Sequence, residues 1–355
     1  MKEAILYEKF KDKLVKCHVC NHYCAIADGK RGFCGVRQNQ GGVLYSLNYG
    51  KVIAAHIDPI EKKPFFHFLP GSFSYSISAA GCNFRCAQCQ NWEISQAAKL
   101  YPEEIPGEEF FPHEIVAEAL KNKCPSISYT YTEPTIFVEL ALETMKIAKE
   151  KGLKNCWVSN GYMSKETIEE IAPYLDAANI DLKFFTEENY QKVCQAKLAP
   201  VLETLKELRK RKTRAQNNFV LGRAHKICAP IWLEITTLLI PDLTDKDKQI
   251  EGITKFIKKE LGDDVPWHIS RFHPDYQMTD KKMTPDENLN QAYEIGKKAG
   301  LKYIYFGNVV NDSRENTYCP KCNELNIERI GYQITRFDKN GRCRKCKNDI
   351  NLVIE

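Results

Sequence analysis

"SAAGCNFRCAQCQNWEIS", residues 78–95, closes the β-rich run "SYSISAAG" and then places three cysteines, at 82, 86 and 89, in a polar loop. Three thiolates at this spacing can converge on one metal centre and leave a coordination place unfilled. A structural zinc site is closed by four ligands, and no fourth cysteine lies nearby in the sequence. A 4Fe-4S cluster held by three thiolates instead keeps one iron without a protein ligand, where a small molecule can bind. Gly81, Asn83 and Arg85 make the loop polar, which speaks against three thiols buried as small hydrophobes.

Outward from the triplet, strand-like runs alternate with helical periodicity. "PHEIVAEALKNK" reads as a helix, "SISYTYTEP" as a strand and "IFVELALETMKIAKEKG" as the next helix. "NCWVSNG", "DAANIDLKF", "IWLEITTLLIP", "PWHISRFHP" and "KYIYFGNV" continue the strands, with Ser164 placed to cap the helix after "NCWVSNG". Such alternation predicts parallel strands with right-handed crossovers. The expected fold is therefore α/β, a partial or full parallel β/α (TIM-like) barrel, with an open doubly wound sheet as the alternative. Glu133, Asn160, Asp181 with Lys183, His273 and Asn308 all fall at the carboxyl ends of predicted strands, which in a β/α barrel share one mouth.

The chain has 355 residues and is 43% hydrophobic, enough for a large core. Its net charge of +5, from 51 basic and 46 acidic residues, demands neither nucleic acid nor a membrane as partner. The opening "MKEAILYEKFKDKLVK" lacks the apolar core of a secretory signal, and no uncharged run is long enough to span a bilayer, so a cytoplasmic location is expected. Of 15 cysteines, eleven fall into three clusters; Cys124, Cys156, Cys194 and Cys228 stand alone and read as buried small hydrophobes. Six basic residues in 206–214 open an insertion running to 230, read as a solvated helix end in preference to a nucleic-acid contact.

The triplet's C-x3-C-x2-C, directly after the first strand of a βα series, resembles the radical S-adenosylmethionine (radical SAM) superfamily. Within it the chain is similar to the AmmeMemoRadiSam-system radical SAM enzymes, relatives of pyruvate formate-lyase activating enzymes, through "GKRGFCGVR", "VIAAHIDPIEKKPFFHFLPGS", "GCNFRCAQCQNWEISQ", "SYTYTEPTIF", "DAANIDLKFF", "VPWHISRFHPDY", "YFGNV" and "TYCPKC". The resemblance implies a 4Fe-4S cluster on Cys82, Cys86 and Cys89 whose open iron chelates S-adenosylmethionine. It implies cofactor contacts at Thr132 and Glu133 of "TEPT", Ser159 and Asn160 of "SNG", Asp181 and Lys183 of "DLK", and His273. Each has a plainer alternative: a helix N-terminal carboxylate at Glu133, a structural ion pair for Asp181 with Lys183, a packed loop residue at His273. Gln88 departs from the family pattern, which commonly has an aromatic residue there.

Two further clusters flank the barrel. "CPKC" at 319–322 and "CRKC" at 343–346 have the spacing of a zinc ribbon, with Cys319, Cys322, Cys343 and Cys346 as ligands. Cys17, Cys20, Cys24 and Cys34 can close a second site, zinc or an auxiliary iron-sulfur cluster, with His18 and His22 as spare ligands. The expected division is 1–70 cysteine-rich segment, 71–312 barrel and 313–355 zinc-ribbon lobe. The expected function is reductive cleavage of S-adenosylmethionine and hydrogen abstraction from a substrate, with a one-electron donor such as flavodoxin or ferredoxin. By family analogy the substrate is a partner protein in which a glycyl radical forms; the alternative is modification of a small molecule or nucleotide. A zinc-ribbon nucleic-acid-binding protein is the rival of another class.

Overall fold

The computed structural model describes residues 1–221 and 230–355, and of 212–221 the backbone only. Cys228 and most of the basic insertion's downstream half lie outside the described residues. Its first part is helical, and Lys206, Arg209 and Arg211 pair with Glu203, Asp264 and Glu207.

The central sheet has eight main strands: β1 Lys51–Pro59, β2 Phe73–Ala79, β3 Ser126–Tyr129, β4 Lys154–Ser159, β5 Ala177–Asp181, β6 Trp232–Leu239, β7 Trp267–Arg271 and β8 Ile304–Gly307. From β2 to β8 they are parallel and lie side by side in sequence order. A doubly wound sheet reverses its order at a switch point; this one never does, so the barrel-type progression holds. The sheet keeps two edges and is the partial form. β1 pairs antiparallel with β2, from Val52 opposite Ala79 to Pro59 opposite Phe73. Residues 51–59, grouped with the N-terminal segment by sequence, thus belong to the sheet.

Helices α1 Pro112–Lys121, α2 Val138–Glu150, α3 Lys165–Ile171, α4 Leu198–Leu221, α5 Asp247–Phe256 and α6 Asp286–Ala299 fill the crossovers. Ser164 caps α3 by accepting the Thr167 N–H at 3.1 Å. Alternation along the strands sorts the two faces. Ile77, Ile127, Trp157, Ile180, Ile235 and Ile269 turn into the main core, whereas Ser74, Cys156, Asn179, Glu234 and His268 occupy the other register and are buried.

This second face is covered by the segment 60–69. Ile60, Phe65, Phe68 and Leu69 pack with Cys156, Ala177 and Trp232. Strand side chains satisfy the segment's backbone: Asn179 donates to the Pro64 carbonyl at 2.8 Å, and the Phe66 and His67 N–H groups donate to the Glu234 carboxylate at 3.0 and 2.9 Å. Buried polar residues in mid-strand are here the partners that a buried loop requires. 

Two small three-stranded antiparallel sheets form the N-terminal lobe, and one, built on Leu325–Ile330, forms the C-terminal lobe. The latter docks on the covering segment: Arg329 donates to the Phe66 carbonyl at 2.7 Å and lies 4.2 Å from its ring centre. Among the described residues no helix is long and apolar enough to cross a membrane.

Candidate active site

The triplet loop leaves β2 through Gly81, whose φ of +111° only glycine adopts easily. A Cβ there would also stand 2.9 Å from Val36. Ties from three directions hold the loop. Lys99 Nζ donates to the Cys82 carbonyl at 3.0 Å, Ala87 N–H to the Val193 carbonyl at 3.0 Å, and Gln277 N–H to the Ala87 carbonyl at 3.0 Å. Cys82 Sγ accepts the Phe84 N–H at 3.3 Å, and Cys89 Sγ lies 3.3 Å from Ser95 Oγ.

Cys194, which the sequence alone presents as a lone buried thiol, is buried, but its Sγ lies 3.5 Å from Cys86 Sγ. That contact first, then burial, holds the Cys86 thiol well above its ordinary pKa, and burial does the same at Cys82. Buried thiols of this kind ionise when a cation binds them.

The end of β3 meets the end of β4 at Glu133. Its Oε1 accepts from Thr135 N–H at 3.1 Å, from the Thr135 hydroxyl and from Ser159 Oγ at 2.8 Å; its Oε2 accepts the Asn160 N–H at 2.8 Å. Burial nevertheless raises its pKa above the ordinary value. The plainer reading is realised, since Glu133 caps the short helix Pro134–Phe137. A carboxylate has about four acceptor sites, and Oε2, with one donor, keeps room for a further one. Asn160 Nδ2 donates to Asn83 Oδ1 at 2.7 Å, so a hydrogen-bonded chain runs from Glu133 into the triplet loop. Thr132 sits behind this chain, its hydroxyl donating to the Ala79 carbonyl at 2.7 Å.

After β5, Lys183 Nζ and Asp181 are paired at 2.7 Å. Burial opposes the lysine's charge, yet Asp181, then Cys86 and Cys194, hold its pKa well above the ordinary value. His273 is exposed in the loop after β7; that loop reaches the triplet through Gln277 and through Tyr276, stacked on Trp92 at 5.1 Å. Asn308 is exposed and donates to the Arg271 carbonyl. 

Two observations fit the loop to a polar ligand beside a metal centre. Asn83 Nδ2 and Gln88 Oε1 are buried with no hydrogen-bond partner, an expensive state that a bound group would relieve. The residues that sequence reasoning missed are Asn83, Cys194 and Ser78, whose hydroxyl lies 2.7 Å from that of Thr132.

In the C-terminal lobe the four sulfurs lie within 4.8 Å of one another, with Cys319–Cys346 and Cys322–Cys343 at 3.6 Å. Tetrahedral thiolates at metal–sulfur distances of about 2.3 Å stand roughly 3.8 Å apart, so the quartet fits a single metal ion. In the N-terminal lobe Cys17, Cys20, Cys24 and Cys34 line one small pocket.

The family profile described as "Radical SAM superfamily" matches residues 76–227. Over 357 aligned residues, covering all of both chains, the sequence is 45% identical to "Uncharacterized protein MJ0808" of Methanocaldococcus jannaschii. It is 26% identical to "Uncharacterized protein MJ0674" of the same organism, over 83% of this chain and 78% of that one. Among solved structures, a domain of pyruvate-formate lyase-activating enzyme from Bacteroides vulgatus superposes with a TM-score of 0.40 at 17% identity, over 51% of this chain and 97% of that one.

Proposed function

We propose that this chain, which belongs to the radical SAM superfamily, uses the mouth at Cys82, Cys86 and Cys89 to generate a radical on a bound substrate. The superfamily implies a 4Fe-4S cluster and S-adenosylmethionine. Reductive cleavage of S-adenosylmethionine, followed by hydrogen abstraction from the substrate, is the chemistry they supply when bound. The observation that carries this reading is the chain of hydrogen bonds from Glu133 through Asn160 and Asn83 to the triplet loop.

The residues have separate tasks. Cys82, Cys86 and Cys89 hold the metal centre. Glu133 keeps an acceptor position for the cofactor's amino group, with Thr135, Ser159 and Asn160 fixing its orientation, while Thr132 ties the start of its turn to Ala79. Lys183, with Asp181, offers positive charge beside Cys86. His273 lies on the loop after β7, which is tied to the triplet loop through Gln277. The electron comes from a flavodoxin- or ferredoxin-like donor, and the substrate is a partner protein in which a glycyl radical forms, by analogy with the related pyruvate formate-lyase activating enzymes; the subfamily proposed is the AmmeMemoRadiSam-system enzymes. For the C-terminal quartet the ion proposed is zinc; the 3.6 Å sulfur spacing supports a single tetrahedral metal ion there.

The test is anaerobic: reconstituted protein with dithionite should release 5'-deoxyadenosine, and Cys82→Ala, Cys86→Ala or Cys89→Ala should abolish it. Release undiminished in any of these variants overturns the reading. Glu133→Gln removes a charge-assisted acceptor worth about 1.5–3 kcal/mol, so S-adenosylmethionine should bind roughly tenfold to a hundredfold more weakly. Unchanged affinity would leave Glu133 only its capping role.

A further inference from the structure

We infer that Cys194 is a positioning residue for the proposed metal centre: its S–H donates a hydrogen bond to the Cys86 thiolate and raises the reduction potential of the cluster that the triplet holds. The inference rests on the function proposed above. Cys86 and Cys194 are both buried, and their sulfurs lie 3.5 Å apart. Between two thiols either sulfur can donate. A thiolate bound to iron can only accept, so the one proton left between the two sulfurs belongs to Cys194.

The backbone keeps Cys194 in this place. The N–H groups on either side of Cys86, those of Arg85 and Ala87, donate to the Cys194 and Val193 carbonyls at 2.9 and 3.0 Å. Residues 193–194 are therefore strapped along the triplet loop at the residue that carries the thiol. That strap does not depend on which way Cys86 turns its side chain.

The local conformation of the strap is uncommon. Cys194 ends a single wide turn of the π type, Tyr190–Cys194, and Gln195 after it is left-handed at φ +53°. Isolated π turns are rare and frequent at functional sites, and left-handed backbone is disfavoured for an ordinary L-residue. Tyr190, at the start of the turn, is buried, and its hydroxyl accepts the Lys183 N–H at 3.2 Å, which ties the turn to the loop after β5.

A small apolar side chain at 194 would fill much the same space; what the sulfur adds is a donor. Hydrogen bonds to the sulfurs of an iron-sulfur cluster help to set its potential. Reduction adds negative charge, and a donor at a ligating sulfur stabilises that charge, so the potential rises. The proposed reaction begins with that reduction, and Cys194 thus bears on how strong a reductant the chain needs.

The experiment compares wild type, Cys194→Ala and Cys194→Ser, each reconstituted anaerobically with iron and sulfide. The electron paramagnetic resonance signal that Cys82→Ala lacks belongs to the triplet, and its midpoint is read by potentiometric titration with dithionite. Cys194→Ala should keep the iron content and shift the midpoint to more negative potential. Cys194→Ser, whose hydroxyl still donates, should stay close to wild type. An unchanged midpoint in Cys194→Ala, or equal shifts in both variants, overturns the inference and leaves the proposed function standing. Should Cys194→Ala not hold the cluster, the serine variant decides: a midpoint near wild type upholds the donor role, and a displaced midpoint or a lost cluster overturns it. A wild type with no signal beyond that of Cys82→Ala takes down the proposed function, and the inference with it.

Discussion

The two outer cysteine quartets look alike as sequence and are built in opposite ways. In the C-terminal lobe, "CPKCN" and "CRKCK" make two copies of one turn. The N–H of Asn323 donates to the Cys319 carbonyl at 2.9 Å, and that of Lys347 to the Cys343 carbonyl at 3.0 Å. Paired equal turns bring four sulfurs to a point, and little else surrounds them: the apolar cluster there holds Cys319, Cys343 and Ile350, with Leu352 against it. In the N-terminal lobe the spacing is uneven, and Cys17, Cys34, Val19, Ile26 and Val36 belong to the main core. On the reading proposed above, one quartet depends on a bound metal for the fold around it. The other sits in a fold that packing already supplies.

The largest expected effect tests that contrast. Apparent binding energies of structural zinc in small domains are about 10–16 kcal/mol, so Cys319→Ala with Cys343→Ala should unfold the C-terminal lobe. Hydrogen exchange at Leu325–Ile330 should lose protection while β2–β8 keep theirs. Cys17→Ala with Cys34→Ala should leave the N-terminal strands protected. Equal loss in both lobes would break the comparison.

A smaller effect probes what holds the N-terminal lobe apart from its cysteines. Arg37 and Glu139, 3% and 1% exposed, form a buried pair joining that lobe to α2. Removing one partner strands the other charge, which typically costs about 3–5 kcal/mol. Glu139→Ala should therefore lower the unfolding free energy by that amount, measured by denaturant titration. A loss under about 1 kcal/mol would mean that packing alone holds the lobe.

Acid should discriminate the lobes in the other direction. His67 joins the covering segment to the C-terminal tail, with Nδ1 2.9 Å from the Asn351 carbonyl and Nε2 2.6 Å from the Tyr305 hydroxyl. Burial depresses its pKa to about 4. The unfolded chain then binds a proton that the folded one refuses between about pH 6.5 and 4, so stability falls as pH falls through that window, by roughly 3 kcal/mol in all. Above the unfolded value both states are neutral and the effect vanishes. His67→Gln should flatten this slope; an unchanged slope would move the acid sensitivity to other groups.

How much of this could be read beforehand follows from the range of the interactions. The strand–helix alternation is local and was legible, as were Ser164 as a cap and the convergence of Glu133, Ser159 and Asn160 at strand ends. The cover on the inner face was not: Asn179, Glu234 and His268 are polar residues within strands, and nothing within a few residues reveals that Pro64, Phe66 and His67 are their partners or neighbours. Cys194 reaches Cys86 across 108 residues, a separation at which spacing carries no signal. Uneven cysteine spacing left two metals open in the N-terminal lobe because spacing alone does not give the distance between sulfurs.

The smallest effect sharpens the comparison inside the C-terminal lobe, where the twin turns differ at one informative place. The residue after each second cysteine is left-handed, Asn323 at φ +56° and Lys347 at φ +62°. Asparagine tolerates that conformation through its short polar side chain, whereas an ordinary L-residue is disfavoured there by roughly 1–2 kcal/mol. Lys347 is exposed, and its ammonium only reaches the Arg344 carbonyl at 3.1 Å, a contact worth little in water. Lys347→Asn should thus stabilise the metal-bound turn by several tenths of a kcal/mol, and Asn323→Lys should destabilise its twin by a similar amount. Competition with a chelator would read these as roughly twofold to fivefold changes of opposite sign in metal affinity. Where folding of the lobe is coupled to its metal, as proposed, backbone strain in either turn must appear in that affinity. No change in either variant would mean that the lobe holds its turns without the metal, and the contrast between the two quartets would fail at its root.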